Sequence, residues 1–281
     1  MRRTVAQNDT TVKALMVART KPLVDPTLDQ VLAFCAEDPI ERVYLEEMAR
    51  HGPGRLVATA DVQGRLTALC HLGANVVPSG QGAEAFADVA ISSRPKMLIG
   101  NEAAVSALWA AVRDRMPVPR EDRPAQPVFA ISKAPEAGDT EIRPARRNDL
   151  DLLLPACAAT HEGELGVDPL LLDAEGFRRR TLQQIEEGRS WLWTENGTIL
   201  FKAEASAWTP SAVQLQQVWV DPEARNQGYG QRGLRDLIRL LLERVPRVCL
   251  FVRADNPAAI HLYESIGMEQ VGTYRSVLFS V

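Results

Sequence analysis

The sequence predicts an α/β protein, in the α+β mixed-sheet sense: two similar domains, each a twisted mixed sheet flanked by helices. Three observations point there. The chain has 281 residues, enough for two domains of ~100–200 residues each. Apolar runs of period two alternate with amphipathic segments of helical period. The order of these segments in the first half resembles the order in the second, though no repeated motif accompanies it.

In the first half, residues 28 to 50 have helical character. LVATADVQGRLTALCHLGANVVP is a hairpin turning at Gly64, KMLIG a strand, and NEAAVSALWAAVRD a helix. Two proline-bearing stretches follow, PVPREDRPAQP and, after the short apolar run VFAIS, SKAPEAGDTE. The second lacks any periodicity and is the better linker. The division expected is therefore residues 1–133, a linker 134–140, and residues 141–281.

The second half begins with a short strand, EIRPA, and a helix, NDLDLLLPACAAT, which Asn148 or Asp149 can cap. HEGELGVDP is expected as a polar loop and AEGFRRRTLQQIE as a helix. SWLWTENGTILFKAEASAW is a hairpin with Asn196-Gly197 at its turn, the pair that tight primed turns favour. AVQLQQVWV is a further strand. After a glycine loop, Leu234, Ile238, Leu241 and Val245 recur at helical spacing. RVCLFVRA is a strand, NPAAIHLYESIG a helix ended by Gly267, and MEQVGTYRSVLFSV a final pair of short strands.

Composition narrows the function. With 46% hydrophobic and 24% charged residues the chain is an ordinary globular one, and a net charge of -4 gives no basic footprint for general nucleic-acid binding. No run approaches the ~18–20 apolar residues of a membrane span, and the amino-terminal MRRTVAQNDTTVKALMVARTKP has no apolar core for a signal peptide. Cys35, Cys70, Cys157 and Cys249 are far apart in apolar contexts, without metal spacing. They fit reduced core residues of a cytoplasmic protein that carries no metal.

The chemistry concentrates in VWVDPEARNQGYGQRGL. GYGQRG matches G-x-G-x-x-G by letter, and Asp255 stands about where a dinucleotide fold places its ribose ligand. Seven residues, DPEARNQ, nevertheless separate Val220 from Gly228, where a dinucleotide loop follows its strand almost directly. Only 26 residues follow Asp255, too few for the remaining strand-helix units of that fold. The glycines still predict an anion: a glycine turn opening a helix aims backbone N–H groups and the positive end of the helix dipole at one point.

VWVDPEARNQGYG resembles the cofactor motif of the GNAT superfamily of N-acetyltransferases, with Arg225-Asn226-Gln227-Gly228-Tyr229-Gly230 as its R-x-x-G-x-G. LFVRADNPAAIHLYESIGMEQVG resembles the second part of the same signature, through Asn256, Tyr263 and the turn into the last strands. The resemblance covers residues 141 to 281. The first half shares element order without the motif and is similar to the degenerate partner domain of tandem acetyltransferases. LIGNEA, its strand-to-helix junction, lacks the second and third glycines.

The resemblance implies acetyl-CoA as co-substrate, its pyrophosphate in the loop from Arg225 to Gln231 and its pantetheine arm along Val218, Trp219 and Val220. Such an arm can add to an open strand edge as a peptide does. Asn256 is a helix cap before Pro257, and the resemblance adds a cofactor contact. Tyr263 lies seven residues on and so on the same side; family members commonly place here the acid that protonates the departing thiolate. The amine acceptor is a small molecule or peptide. No base is evident: Glu204, Glu162, Glu164 and His161 are all candidates. Glu204 is placed as catalytic, and Glu162 and Glu164 as acceptor-binding residues in the acidic segment THEGELGVD, where acceptors enter in the family. His261 is a packing or surface residue. Two alternatives remain: a CoA-binding module without turnover, and a tandem small-metabolite acetyltransferase of the mycothiol synthase type with its acceptor between the halves.

Overall fold

The computed structural model describes residues 23–280, so the amino-terminal stretch read above lies outside the described residues. The first half runs α1 (Leu28–Glu37), α2 (Val43–Arg50), β1 (Arg55–Ala60), β2 (Leu66–Leu72), β3 (Asn75–Gly80), α3 (Ala87–Ser93), β4 (Met97–Asn101), α4 (Glu102–Val112) and β5 (Glu121–Ile131). The second runs β6 (Arg143–Pro144), α5 (Leu150–Leu165), α6 (Pro169–Glu186), β7 (Ser190–Glu195), β8 (Thr198–Trp208), β9 (Val213–Val220), α7 (Tyr229–Leu242), β10 (Val248–Phe251), α8 (Pro257–Ser265) and β11 (Glu269–Leu278).

All strands join one 11-stranded mixed sheet in the order β1-β2-β3-β4-β11-β5-β10-β9-β8-β7-β6. The halves therefore cross: β5, from the first, lies between β10 and β11, while β11, from the second, lies between β4 and β5. Tyr274 pairs with both Asn101 and Gln126, and Phe251 with Val128. The apolar core follows this join, since Phe129 and Ile131 pack with Leu250 and Tyr263 while Val277 and Phe279 pack with Leu98 and Leu108.

Part of PVPREDRPAQP is strand, which sequence periodicity hides. β5 takes in Pro124 and Pro127, and both precede Val128, where β10 begins to pair. A proline lacks the ladder N–H, so it is tolerated on the side of a strand that has no partner. The final residues form one strand, β11, rather than two, with register shifts after Gln270 and after Tyr274.

HEGEL also departs from expectation. These residues continue α5 to Leu165, and the chain turns only at Gly166, where φ is 67°. Glutamate and leucine sustain a helix until a glycine offers the left-handed exit. Neither Asn148 nor Asp149 caps α5 with its side chain. Asp149 instead accepts from Arg143 at 2.7 and 2.9 Å and from the Arg146 N–H at 2.7 Å. α6 begins at Pro169, earlier than its periodicity suggests, and is kinked at Asp173.

The segment 134–140 is docked along α7. Asp236 accepts from the N–H groups of Gly138 and Thr140 at 2.7 and 2.8 Å, and Arg232 donates to the Gly138 and Asp139 carbonyls at 2.8 and 2.7 Å.

Candidate active site

β9 and β10 are parallel neighbours only at Val213–Val248 and Gln214–Cys249. Beyond Gln214, β9 runs on to Val220 paired with β8 alone. A wedge opens between the two strands and leaves one edge of β9 without a strand partner. Val218, Trp219 and Val220 occupy that edge, each half-buried. Val218 and Val220 pack with the α7 face of the sheet, while Trp219 packs with the α5 and α6 cluster on the other.

A bulge shapes the edge. Lys202 pairs with Trp219 but Glu204 pairs with Gln216, so β9 carries one extra residue, and Gln217 takes a φ of 49°. Lys202, wholly buried, donates from Nζ to Gln217 Oε1 at 2.9 Å and to Glu204 Oε1 at 3.1 Å. The Cys157 thiol donates to the same Glu204 oxygen at 3.1 Å. Burial is the largest single influence on the Lys202 ammonium and would weaken it, but Glu204 and Cys157 together outweigh it, so the proton is held more tightly than usual. The Cys157 thiol is pushed up to about 12, chiefly by burial.

The chain then passes through a 3-10 turn, Pro222–Ala224, capped by Asp221 on Glu223 N–H at 2.9 Å. Asn226 and Gly228 both have positive φ, 60° and 82°, and Arg225, Asn226, Gln227 and Gly228 are exposed. A Cβ built on Gly228 would meet no protein atom within 4 Å, so the space beside it is open. Within α7, Arg232 N–H is bonded to Gly228 C=O, and the N–H groups of Tyr229, Gly230 and Gln231 before it point out of the first turn. The Tyr229 ring itself turns inward, edge-on to Trp193 at 5.2 Å. Gln231 donates to Ser265 at 3.2 Å and ties α7 to α8.

Gly233, the third glycine of the letter match, serves packing. A Cβ there would lie 2.5 Å from the Phe201 ring, so the glycine seats α7 against β8. Asp255 is exposed and its carboxylate is taken by Arg253 at 2.9 and 2.7 Å, which leaves it no resemblance to a ribose ligand.

Asn256 caps α8, accepting from Ala259 N–H at 3.1 Å. Tyr263, on the same helix, is buried with its ring 5.7 Å from that of Phe129. Burial first, and the negative charge of Glu164 second, raise its phenol above the ordinary value. Glu164 comes from the last turn of α5. Water reaches it, yet protein surrounds it closely enough that its carboxyl rises to about 7; the charge of Glu204 adds to this, and Lys202 and Arg123 oppose it. Glu162 is exposed on the same turn, and His161 lies against Phe177 at 5.7 Å, its proton affinity lowered by burial and by Arg180. His261 is exposed.

Val218 to Gln231 thus run from the wedge into α7, α8 is capped by Asn256, carries Tyr263 and is tied to α7 through Gln231, and the charge of Glu164 acts on Tyr263, while Glu204 lies in the buried pair. Sequence reasoning passed over three participants. Lys202 and Glu204 are two apart in an apolar strand, so they share one face and the pairing was detectable. Gln217 and Arg123 gave no signal, because a bulge and a strand exchange are properties of the assembled sheet.

Residues 162–268 match the Acetyltransferase (GNAT) family. The carboxy-terminal half carries a GNAT domain. Residues 54–153 match a domain of unknown function, DUF4081. The N-alpha-acetyltransferase RimI of Mycobacterium tuberculosis is 39% identical over 66 residues, 24% of this chain and 40% of that protein. The chain therefore matches less than half the length of that curated relative. An acetyltransferase of the GNAT family from Colwellia psychrerythraea aligns with a TM-score of 0.57 at 14% identity, over 92% of this chain and 99% of that one. A tandem GNAT protein from the clavulanic acid biosynthesis pathway aligns with a TM-score of 0.53 at 14% identity, over 92% and 99%. At such identity these two share the fold, and they share it across both halves. The GNAT match ends before β11, the strand that crosses into the first half. Among the described residues no helix is long and apolar enough to cross a membrane, and no group of three or more His, Cys, Asp and Glu is placed to hold a metal ion.

Proposed function

We propose that the protein is an N-acetyltransferase that moves an acetyl group from acetyl-CoA to an amine by direct attack, without a covalent enzyme intermediate. The observation that carries this is the wedge between β9 and β10, which leads from an unpaired strand edge to the open first turn of a glycine-begun helix. Pyrophosphate suits that turn: the N–H groups of Gly228 to Gln231 and the helix dipole favour an anion, and Arg225 adds charge beside Asn226 and Gln227. The pantetheine amides suit the edge at Val218, Trp219 and Val220, and a backbone N–H near Val218 or Trp219 is suited to polarise a thioester carbonyl. Asn256 adds a contact where α8 begins.

Glu164 and Tyr263, which interact through charge, divide the chemistry as base and acid. Glu164, near 7, takes the proton of the incoming ammonium near neutral pH. The freed amine attacks the thioester carbon, the C–N bond forms and the C–S bond breaks. The sulfur leaves as a thiolate, and the Tyr263 hydroxyl supplies its proton. We assign the base to Glu164 rather than Glu204, because Glu204 is engaged by Lys202 and Cys157 beneath the wedge. Glu162 stays an acceptor contact. This reaction uses no metal.

The continuous sheet favours an acceptor site shared by both halves, as in the tandem small-metabolite reading. We retain residues 1–133, 134–140 and 141–281 as the sequence division. The four cysteines, buried and unpaired, fit the reducing cytoplasm.

Thiol release from acetyl-CoA across peptides with free α-amines, lysines, polyamines and amino sugars tests the reading. Amine-dependent release, slowed ~10²-fold or more by Glu164→Gln, is expected. Binding of acetyl-CoA with no release across the panel would instead mark a CoA-binding module.

A further inference from the structure

We infer that Arg123, carried by the crossing strand of the first half, is a positioning residue of the transfer site, holding the last turn of α5 through the backbone carbonyl of Glu164. The inference rests on the reading of Glu164 as the base.

Arg123 Nη2 donates to the backbone carbonyl of Glu164 at 2.8 Å and to Glu121 Oε2 at 2.5 Å. Its side chain is 13% exposed, and its Nε is buried without a partner. A guanidinium so placed is fixed on two sides and presents a permanent charge to its surroundings. The strand is built to aim it. Arg123 pairs with Ser276 but Gln126 pairs with Tyr274, so β5 carries one extra residue, and Ala125 takes a φ of 53° with its N–H on Glu102 Oε1 at 3.0 Å. Such a bulge redirects the side chains beside it. Glu102 opens α4, so the bulge that aims Arg123 is pinned by the first half itself.

The opposite crossing does the same in mirror fashion. Tyr274, on β11 of the second half, donates to the carbonyl of Glu41, in the α1–α2 connection, at 2.7 Å. Each half thus clasps the other at the end of its first helix or just after it. Tyr274 is neutral where it does so. Arg123 brings a charge, and brings it beside the residue that must ionise.

Glu164 is faced by Lys202 and Glu204 from β8, Tyr263 from α8, and Arg123 with Glu121 from β5; Arg253 reaches Glu121 from the loop after β10 at 3.6 Å, and His161, Glu162 and Cys157 share its helix. Among these Lys202 and, less strongly, Arg123 favour the carboxylate. Removing the Arg123 charge raises the proton affinity of Glu164, so a larger fraction of the base is protonated at a given pH.

The acid limb of kcat/KM in the full-length protein measures this. Arg123→Gln should move the limb up by a few tenths of a pH unit and cut activity at pH 6 about twofold, with acetyl-CoA affinity unchanged. Arg123→Lys should keep the limb near wild type. Glu121→Gln, which leaves the guanidinium uncompensated, should move it down, and this change at a half-exposed site keeps the test usable if Arg123→Gln fails to fold. A limb unmoved by Arg123→Gln, or moved equally by Gln and Lys, would show a structural clasp alone and overturn the inference. With Glu164→Gln the limb should vanish; its persistence there would overturn the base assignment, and the role of Arg123 with it.

Discussion

Gly233 of α7 lies so close to Phe201 of β8 that a Cβ on the glycine would stand 2.5 Å from the ring carbon Cγ and 2.7 Å from Cδ1. Phe201 is wholly buried at the centre of the larger core, so neither partner can withdraw. Gly233→Ala should destabilise the protein by ~1–3 kcal/mol through overpacking, read from denaturant midpoints. Gly228→Ala meets no protein atom and strains only its own positive φ, a cost of ~1 kcal/mol. A larger loss at Gly228 than at Gly233 would contradict this division of roles.

The buried pair under the wedge predicts an asymmetric response. Lys202→Met leaves the Glu204 carboxylate buried and frees Gln217, so a loss of ~3–5 kcal/mol is expected. Adding Glu204→Gln to it removes the stranded charge and should return part of that stability. Chemical denaturation of both variants checks the order; a double variant no better than the single would show that the charge is not what costs.

The raised phenol of Tyr263 predicts what the pH profile lacks. A group whose proton affinity is raised keeps its proton as pH climbs through neutrality and beyond its ordinary value of ~10. As the acid, Tyr263 therefore produces no alkaline fall in kcat below about pH 10. Tyr263→Phe should lower kcat with acetyl-CoA affinity intact. An alkaline limb near pH 8 that disappears in the Phe variant would assign Tyr263 a proton affinity incompatible with its burial.

The strand exchange predicts that residues 141–281 do not fold alone. Without β4 and β5, β11 loses both its neighbours and β10 loses one, which exposes their edges. Size-exclusion and circular dichroism of the fragment should show aggregation, relieved by co-expression of residues 1–140. A soluble, monomeric fragment with wild-type kcat would remove the first half from the site.

What the sequence made legible was local. The Asn196-Gly197 hairpin, the amphipathic α7 and the Asn256-Pro257 start of α8 each depend on neighbours a few residues away, and each stands where the pattern put it. HEGEL reads as a loop because its polar residues suit a loop as well as a solvated helix end, and Gly166 sets the boundary. The segment around Arg123 hides its strand for a deeper reason: Pro124 and Pro127 argue against a strand unless one edge lacks a partner, and that edge exists only in the joined sheet. The resemblance implies an open strand edge at Val218 to Val220, but the wedge beside it is not legible in the sequence. Its physical origin, the bulge at Gln217 held by Lys202, needed the structure.

Calorimetric titration of acetyl-CoA into the wild-type protein and into Gly228→Glu tests the central claim most directly. Saturable binding by the wild type, lost when a carboxylate enters the open space beside the first turn of α7, is the result predicted. No binding by the wild type, or equal binding by the two proteins, would contradict it.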